Sequence, residues 1–132
     1  MKYPEDFDDI VFDNREDFAK LDKKTQVGLC IHMLEAQINN GGFDQYFFNS
    51  SGLFVQETVE ALELIGAAKT KKLLADAIAL SFPDGYPVDP TTHRQAMVDD
   101  ESVFDALDEL DQKFYAYEEP LYSLVNAFLD GG

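Results

Sequence analysis

Apolar side chains recur at helical spacing along most of this chain, and this pattern constrains its fold more than any other feature. In the clearest run they follow at intervals of three or four residues, as on one face of an α-helix: Val27, Cys30, Ile31, Leu34 and Ile38. No stretch shows the sustained period of two that is typical of half-buried strands. The sequence therefore predicts an all-α fold, a compact bundle of about six to eight helices.

Glycine and proline residues predict where the helices end. Asn39-Asn40-Gly41-Gly42 tolerates positive φ angles, so we expect a helix over residues 23–39 to stop there. A short second helix follows, and Gly66 is predicted to end a third helix. Residues 82–90 contain three prolines and a glycine, which predicts a loop.

Charge limits the function of the chain more than its length does. Among 132 residues there are 26 acidic and 10 basic side chains, which gives a formal net charge of −16. Binding to a nucleic-acid backbone requires a basic surface, and anionic membranes would repel this chain. At 45% hydrophobic residues it can still bury a core, so we expect a single folded domain over residues 1–132.

The first 22 residues form an acidic N-terminal segment with several apolar residues between the acids. This pattern fits one or two short helices with anchoring apolar residues, and it also fits a loosely packed arm. No apolar signal core or membrane-length apolar run is present, so we expect a cytoplasmic protein. Cys30 is the only cysteine and lies on an apolar helix face, which indicates packing and a raised thiol pKa.

One stretch of the middle segment resembles a known family. It contains Asn40-Gly41-Gly42-Phe43, Gln45-Tyr46-Phe47 and Ile65-Gly66-Ala67. In order and spacing these motifs resemble a bacterial family named after a DNA mimic protein from Neisseria, otherwise described as a domain of unknown function. The resemblance is sharp over about residues 35–67 and looser over 68–130. It implies a compact helical domain, and for the founding member a dimer that imitates duplex DNA and occupies a DNA-binding transcription factor.

Two interpretations of the Asn-Gly-Gly-Phe motif stay open at this stage. In the structural one, Gly41 and Gly42 allow a sharp turn, and the aromatic residues Phe43, Tyr46 and Phe47 pack in the core. Gln45 and Asn49 would then bond exposed backbone groups at the turn. In the functional one, a small polar pocket is lined by four side chains: Asn40, Gln45, Tyr46 and Asn49.

A second acidic segment spans residues 99–119, where Lys113 is the only base. Glu101, Asp105 and Asp108 fall at i, i+4 and i+7, so they line one outer stripe of a predicted helix. Their axial steps of about 4.5–6 Å coarsely approach the phosphate spacing of about 3.4 Å along one DNA strand. The candidate partner-binding surface is therefore acidic and comprises Asp99, Asp100, Glu101, Asp105, Asp108, Glu109 and Asp111.

These features favour a non-enzymatic acidic interaction protein, a candidate DNA mimic that occupies a basic, DNA-binding partner such as a transcription factor. One alternative is an immunity-type neutraliser of a basic toxin, and another is a small-ligand or metal-binding domain. We expect no cofactor and no catalytic residue, because the sequence has no Gly-rich phosphate loop, Cys-x-x-Cys pair or Gly-x-Ser-x-Gly elbow. His32 and Glu35 also stand in the reverse of the Glu-x-x-His order of metal-binding bundles. His93 is expected to face solvent. A homodimer would suit a mimic of a two-fold operator.

Overall fold

The computed structural model describes residues 1–7, 14–98 and 100–131. These residues form seven α-helices and two short 3₁₀ turns, Ser50–Phe54 and Pro90–Thr92, and contain no strand, which confirms the predicted all-α bundle. None of the helices in the described part is long and apolar enough to cross a membrane. The helices are α1 (Arg15–Ala19), α2 (Lys23–Phe48), α3 (Val55–Leu64), α4 (Ala68–Ser81), α5 (His93–Ala96), α6 (Glu101–Tyr115) and α7 (Leu121–Gly131).

Helix α2 is the centre of the fold, because α3, α6 and α7 all pack against it. The predicted break at residues 39–42 is present, and it takes the form of a kink between two helical segments of α2. Gly41 (φ −155°, ψ 16°) and Gly42 (φ 78°, ψ −177°) leave helical geometry, and the chain resumes as a helix through Phe48. The predicted end of the first helix and the short helix after it are therefore confirmed, and the two helical segments join directly at the kink.

The core consists mainly of aliphatic and aromatic side chains from α2 and the helices around it. The face predicted for residues 27–38 is buried throughout. Phe43 and Phe47 from the second half of α2 are also fully buried, as the structural interpretation of the motif predicted. Gly66 (φ 79°) lies between α3 and α4, where the sequence placed a helix end.

The acidic N-terminal segment contributes two aromatic rings to the core. Tyr3 and Phe7 are 3% and 1% exposed. The Tyr3 backbone pairs with the Asn126 side chain of α7 through two hydrogen bonds of 3.0 Å. Phe7 lies against Gly28 of α2, where a Cβ atom would overlap its ring.

The second described part of this segment is helical. Asn14 caps α1, and Phe18 packs on Phe54 with ring centroids 4.6 Å apart. Residues 8–13 lie outside the described residues. Where it is described, the acidic segment therefore packs through anchoring apolar residues.

Candidate partner-binding surface

Helix α6 is amphipathic, and its two faces separate as the sequence predicted. Leu107, Leu110 and Phe114 are buried against α2 and α4. The opposite stripe of Glu101, Asp105 and Asp108 is exposed, and so is the neighbouring Glu109. Within the described residues, no basic side chain lies within ion-pair distance of these four carboxylates. Their charge is therefore available to an external partner.

The two acids before α6 differ from this stripe. Asp100 is the N-cap of α6, because its carboxylate accepts hydrogen bonds from the backbone N–H and the hydroxyl of Ser102, at 2.8 and 2.7 Å. These hydrogen bonds lower the pKa of Asp100. Asp99, also among the predicted surface acids, lies outside the described residues.

Asp111 joins α6 to the glycine kink of α2. Its carboxylate accepts a hydrogen bond of 2.8 Å from the backbone N–H of Phe43, the first residue after the kink. A Cβ atom at residue 42 would overlap this carboxylate. Asp111 is half-buried, and burial raises its pKa, with Asp108 and Asp44 adding to the rise and the Phe43 N–H opposing it. Of the predicted surface acids, Asp111 therefore has a structural contact inside the molecule.

Tyr115, one helical turn after Asp111 on α6, contacts the backbone on the other side of the same kink. Its hydroxyl donates to the Ile38 carbonyl at 3.0 Å. In a regular helix that carbonyl would accept from the N–H of residue 42, which is non-helical here. Two side chains of α6, at i and i+4, thus satisfy backbone groups on both sides of the Gly41-Gly42 break. This arrangement gives the Asn-Gly-Gly-Phe motif a structural role.

The polar side chains of the motif bond to one another and to the Gln37 side chain, whereas backbone partners were predicted for Gln45 and Asn49. Asn40 donates to Gln45 at 3.3 Å, and the amide groups of Gln45 and Asn49 both donate to the Gln37 side-chain oxygen, at 2.9 and 2.8 Å. Tyr46 is fully buried, so its ring does not line an accessible pocket. Asn49 lines an open polar groove of about 560 Å³ together with Gln37. The four residues proposed for a pocket are therefore not brought together around one cavity.

Two further acids of segment 99–119 support α4. The Glu119 carboxylate accepts hydrogen bonds from the backbone N–H groups of Lys69 and Thr70, at 3.0 and 2.7 Å. Burial opposes ionisation of Glu119, but these hydrogen bonds outweigh it and lower its pKa. Glu118 lies 3.5 Å from the ammonium group of Lys69. The cations at the start of α4 are thus balanced by acids.

An apolar groove beside the acidic stripe was not predicted from the sequence. The groove has a volume of about 380 Å³. Two aromatic rings in it are exposed, Phe48 at 53% and Phe104 at 37%. The available signal was Phe104 itself, since its position on α6 lies at the boundary between the apolar face and the acidic stripe. The groove is lined by Asp44, Phe48, Arg94, Met97, Val98 and Phe104.

His93 corrects the expectation of a solvent-facing histidine. It is 2% exposed, and its Nδ1 bonds the carbonyl of Phe47 at 2.7 Å, near the end of α2. The ring fits because residue 52 is a glycine, and a Cβ atom at that position would overlap the ring. Burial lowers the pKa of His93 below its ordinary value of 6.5, although the bond to Phe47 opposes the shift.

We expect His93 to make stability depend on pH. The pKa of His93 is lower in the folded state than in the unfolded state. The contribution of the neutral His93 ring to the free energy of unfolding is therefore complete above about pH 6.5 and is lost as the pH falls through the folded-state pKa. Urea unfolding of the wild type and of His93→Gln should show a difference in free energy of unfolding that shrinks between neutral and mildly acidic pH. A difference that stays constant over this range would contradict the assignment.

The remaining titratable candidates, Cys30 and Glu35, lie in packed or hydrogen-bonded positions. Burial raises the pKa of the Cys30 thiol to about 12, as predicted for a packing residue. The carboxylate of Glu35 accepts hydrogen bonds from the hydroxyl groups of Tyr3 and Tyr117, rather than facing His32 alone. Within residues 1–7, 14–98 and 100–131, no group of three or more His, Cys, Asp or Glu is placed to hold a metal ion.

The fold and this surface define a small, acidic, all-α domain with a stripe of exposed carboxylates on α6 that form no ion pair with any described residue. A family model described as DMP19-like protein matches residues 19–131, so the chain belongs to the DMP19-like family. This confirms the resemblance to the DNA mimic family. No curated relative and no solved structure matches the chain.

Proposed function

We propose that this protein is a non-enzymatic DNA mimic that acts in the cytoplasm by occupying the DNA-binding surface of a basic protein, such as a transcription factor. The carrying observation is the exposed stripe of Glu101, Asp105 and Asp108, which has no ion-pair partner among the described residues. Membership of the DMP19-like family and the net charge of −16 support the same proposal.

The stripe suits a partner that binds phosphates. Its carboxylates stand at steps of about 6 and 4.5 Å along a rigid helix, compared with about 3.4 Å between phosphates of one DNA strand. Lys and Arg side chains form similar charge-assisted hydrogen bonds with carboxylate and phosphate oxygens. Long-range attraction between the net negative charge and a basic partner would raise the association rate, and the stripe would determine the position at which the partner binds.

The test is retention of basic DNA-binding proteins from a bacterial lysate on the immobilised protein at low salt, followed by elution with duplex DNA. We expect bound proteins to be released by duplex DNA and by rising salt, because both compete for the same cations. If no basic protein is retained even at low ionic strength, the proposal fails. Retained proteins that duplex DNA cannot displace would equally argue against mimicry.

Neutralising the stripe should weaken binding of a retained partner without unfolding the domain. We expect the triple variant Glu101→Gln, Asp105→Asn, Asp108→Asn to raise the Kd by about tenfold or more, because several exposed charge contacts are lost together. Titration calorimetry at low and moderate salt measures this, and the salt dependence should become shallower.

A matched control separates the stripe from the total charge. Glu16→Gln, Asp84→Asn and Asp130→Asn together remove the same number of negative charges from exposed positions on other elements. We expect this control to change the Kd by less than about twofold, since distant surface charges are screened by salt. Equal losses in both variants would mean that only net charge matters.

A further inference from the structure

We propose that the apolar groove beside the stripe anchors the apolar face of a basic amphipathic α-helix, whose cations meet the acids of α6. This inference rests on the proposed function and adds the apolar half of the partner's chemistry. It concerns the groove between the end of α2, α5 and the start of α6, where Phe48 and Phe104 are exposed.

Phe104 places an aromatic ring at the edge of the acidic stripe. It lies three residues after Glu101 and four before Asp108, which are the spacings of neighbours on a helix surface. Charge alone would be enough to imitate phosphates, and an exposed ring at this position adds an apolar contact. Aromatic side chains in well-shaped depressions supply much of the binding energy in protein interfaces. The stripe and the groove therefore form one mixed surface.

The wall of the groove is already fixed in the free protein. Arg94 donates from Nε to the Phe48 carbonyl at 2.6 Å, and its guanidinium group lies 5.2 Å from the Phe48 ring centroid. The neighbouring His93 bonds the Phe47 carbonyl, and the Val98 N–H donates to the Ser81 carbonyl at 2.9 Å. A partner that enters this groove pays little to order it, which favours binding.

The charges around the groove select a basic occupant. Asp44 lines the groove, and Glu101 and Asp108 flank Phe104 on α6. Among the described residues of the lining, Arg94 is the only cation; its guanidinium group is held by a carbonyl group and a ring, and the three acids outnumber it. A helix whose apolar face is bordered by Lys or Arg side chains complements this pattern, and helices commonly bind such grooves through apolar anchors at i, i+3 or i+4. At about 380 Å³, the groove lies at the small end of ligand clefts of about 300–1,000 Å³, which suits apolar side chains of a helix.

The test uses two fluorescein-labelled peptides of lysine and leucine, each of about four helical turns. The first has all leucines on one helical face, and the second has the same composition in an order that gives no apolar face. Fluorescence anisotropy at low salt measures their affinity for the full chain. We expect the amphipathic peptide to bind about tenfold more tightly than the scrambled one.

Variants assign that preference to the groove. Phe48→Ala and Phe104→Ala together should remove the preference while leaving the affinity for the scrambled peptide unchanged. Phe48→Ala alone, at the more exposed ring, should reduce the preference in part and has the smaller risk to folding, which circular dichroism checks. Leu64→Ala, an exposed apolar control on α3, should change neither affinity.

The outcomes separate this inference from the proposed function. If both peptides bind equally and stripe neutralisation weakens both, the groove inference is overturned and the acidic surface stands. If the amphipathic peptide keeps its preference in both Phe variants, the groove inference is also overturned. If the preference depends on Phe48 and Phe104 but stripe neutralisation has no effect, the groove stands and the acidic proposal fails. If neither peptide binds at low salt, both fail.

Discussion

Replacement of Gly42 by alanine is expected to cost about 3–4 kcal/mol of the free energy of unfolding. At φ 78° and ψ −177°, residue 42 occupies a backbone region that is essentially restricted to glycine. The added Cβ would also overlap the Asp111 carboxylate, which would have to release the Phe43 N–H. Two costs therefore combine at one methyl group, and urea unfolding monitored by circular dichroism measures their sum.

Gly66 supplies the matched control. It also has positive φ, 79°, but a Cβ there would meet nothing within 4 Å. Gly66→Ala should therefore show the backbone cost alone, about 1–2 kcal/mol. The double variant Gly42→Ala, Asp111→Ala should lose less free energy of unfolding than the two single variants lose in total, because each substitution removes the same contact. Equal costs at residues 42 and 66 would show that the junction with Asp111 contributes nothing.

Replacement of Phe7 by alanine is expected to cost about 3–5 kcal/mol, although Phe7 lies in the acidic segment before the family match begins. The ring is 1% exposed and fills a space that Gly28 leaves open on α2. This loss is a large fraction of the 5–15 kcal/mol that stabilises a typical domain. A loosely packed arm would instead give a change within about 0.5 kcal/mol, so thermal or urea unfolding distinguishes the two.

Phe48→Ala is the control for this prediction, because it makes the same chemical change at a ring that is 53% exposed. We expect it to cost less than about 1 kcal/mol. Gly28→Ala should itself be destabilising, since its Cβ would overlap the Phe7 ring. In the double variant Phe7→Ala, Gly28→Ala the added methyl group has room. The loss in free energy of unfolding should therefore be smaller than the sum of the two single losses.

Much of the fold followed from apolar spacing alone. The buried face of α2 and the outer stripe of α6 were predicted from residues such as Ile38 and Asp105, because a helix buries its apolar side and exposes its charged side. The break at Gly41-Gly42 was also located, but its form was not. A glycine pair permits several backbone paths, and here the path is selected by Asp111 and Tyr115 of a distant helix.

The roles of individual acids were harder to predict. Asp108 and Asp111 have the same chemistry and stand one helical turn apart, yet one is exposed and the other caps the second half of α2. Only the tertiary partner distinguishes them. His93 shows the same limit, since its burial depends on the space over Gly52, which lies about forty residues earlier in the chain. The groove at Phe48 and Phe104 likewise exists only once α2, α5 and α6 meet.

The contact between Asp111 and the α2 kink links the outer surface of α6 to the stability of the core. The pKa of Asp111 is raised by burial and also by the neighbouring charges of Asp108 and Asp44. A cation bound beside Asp108 would offset that repulsion, lower the pKa of Asp111 and strengthen its ionised bond to Phe43. Partner binding at the acidic surface would thus stabilise the contact between Asp111 and the α2 kink. Without a partner, repulsion among these carboxylates weakens that contact.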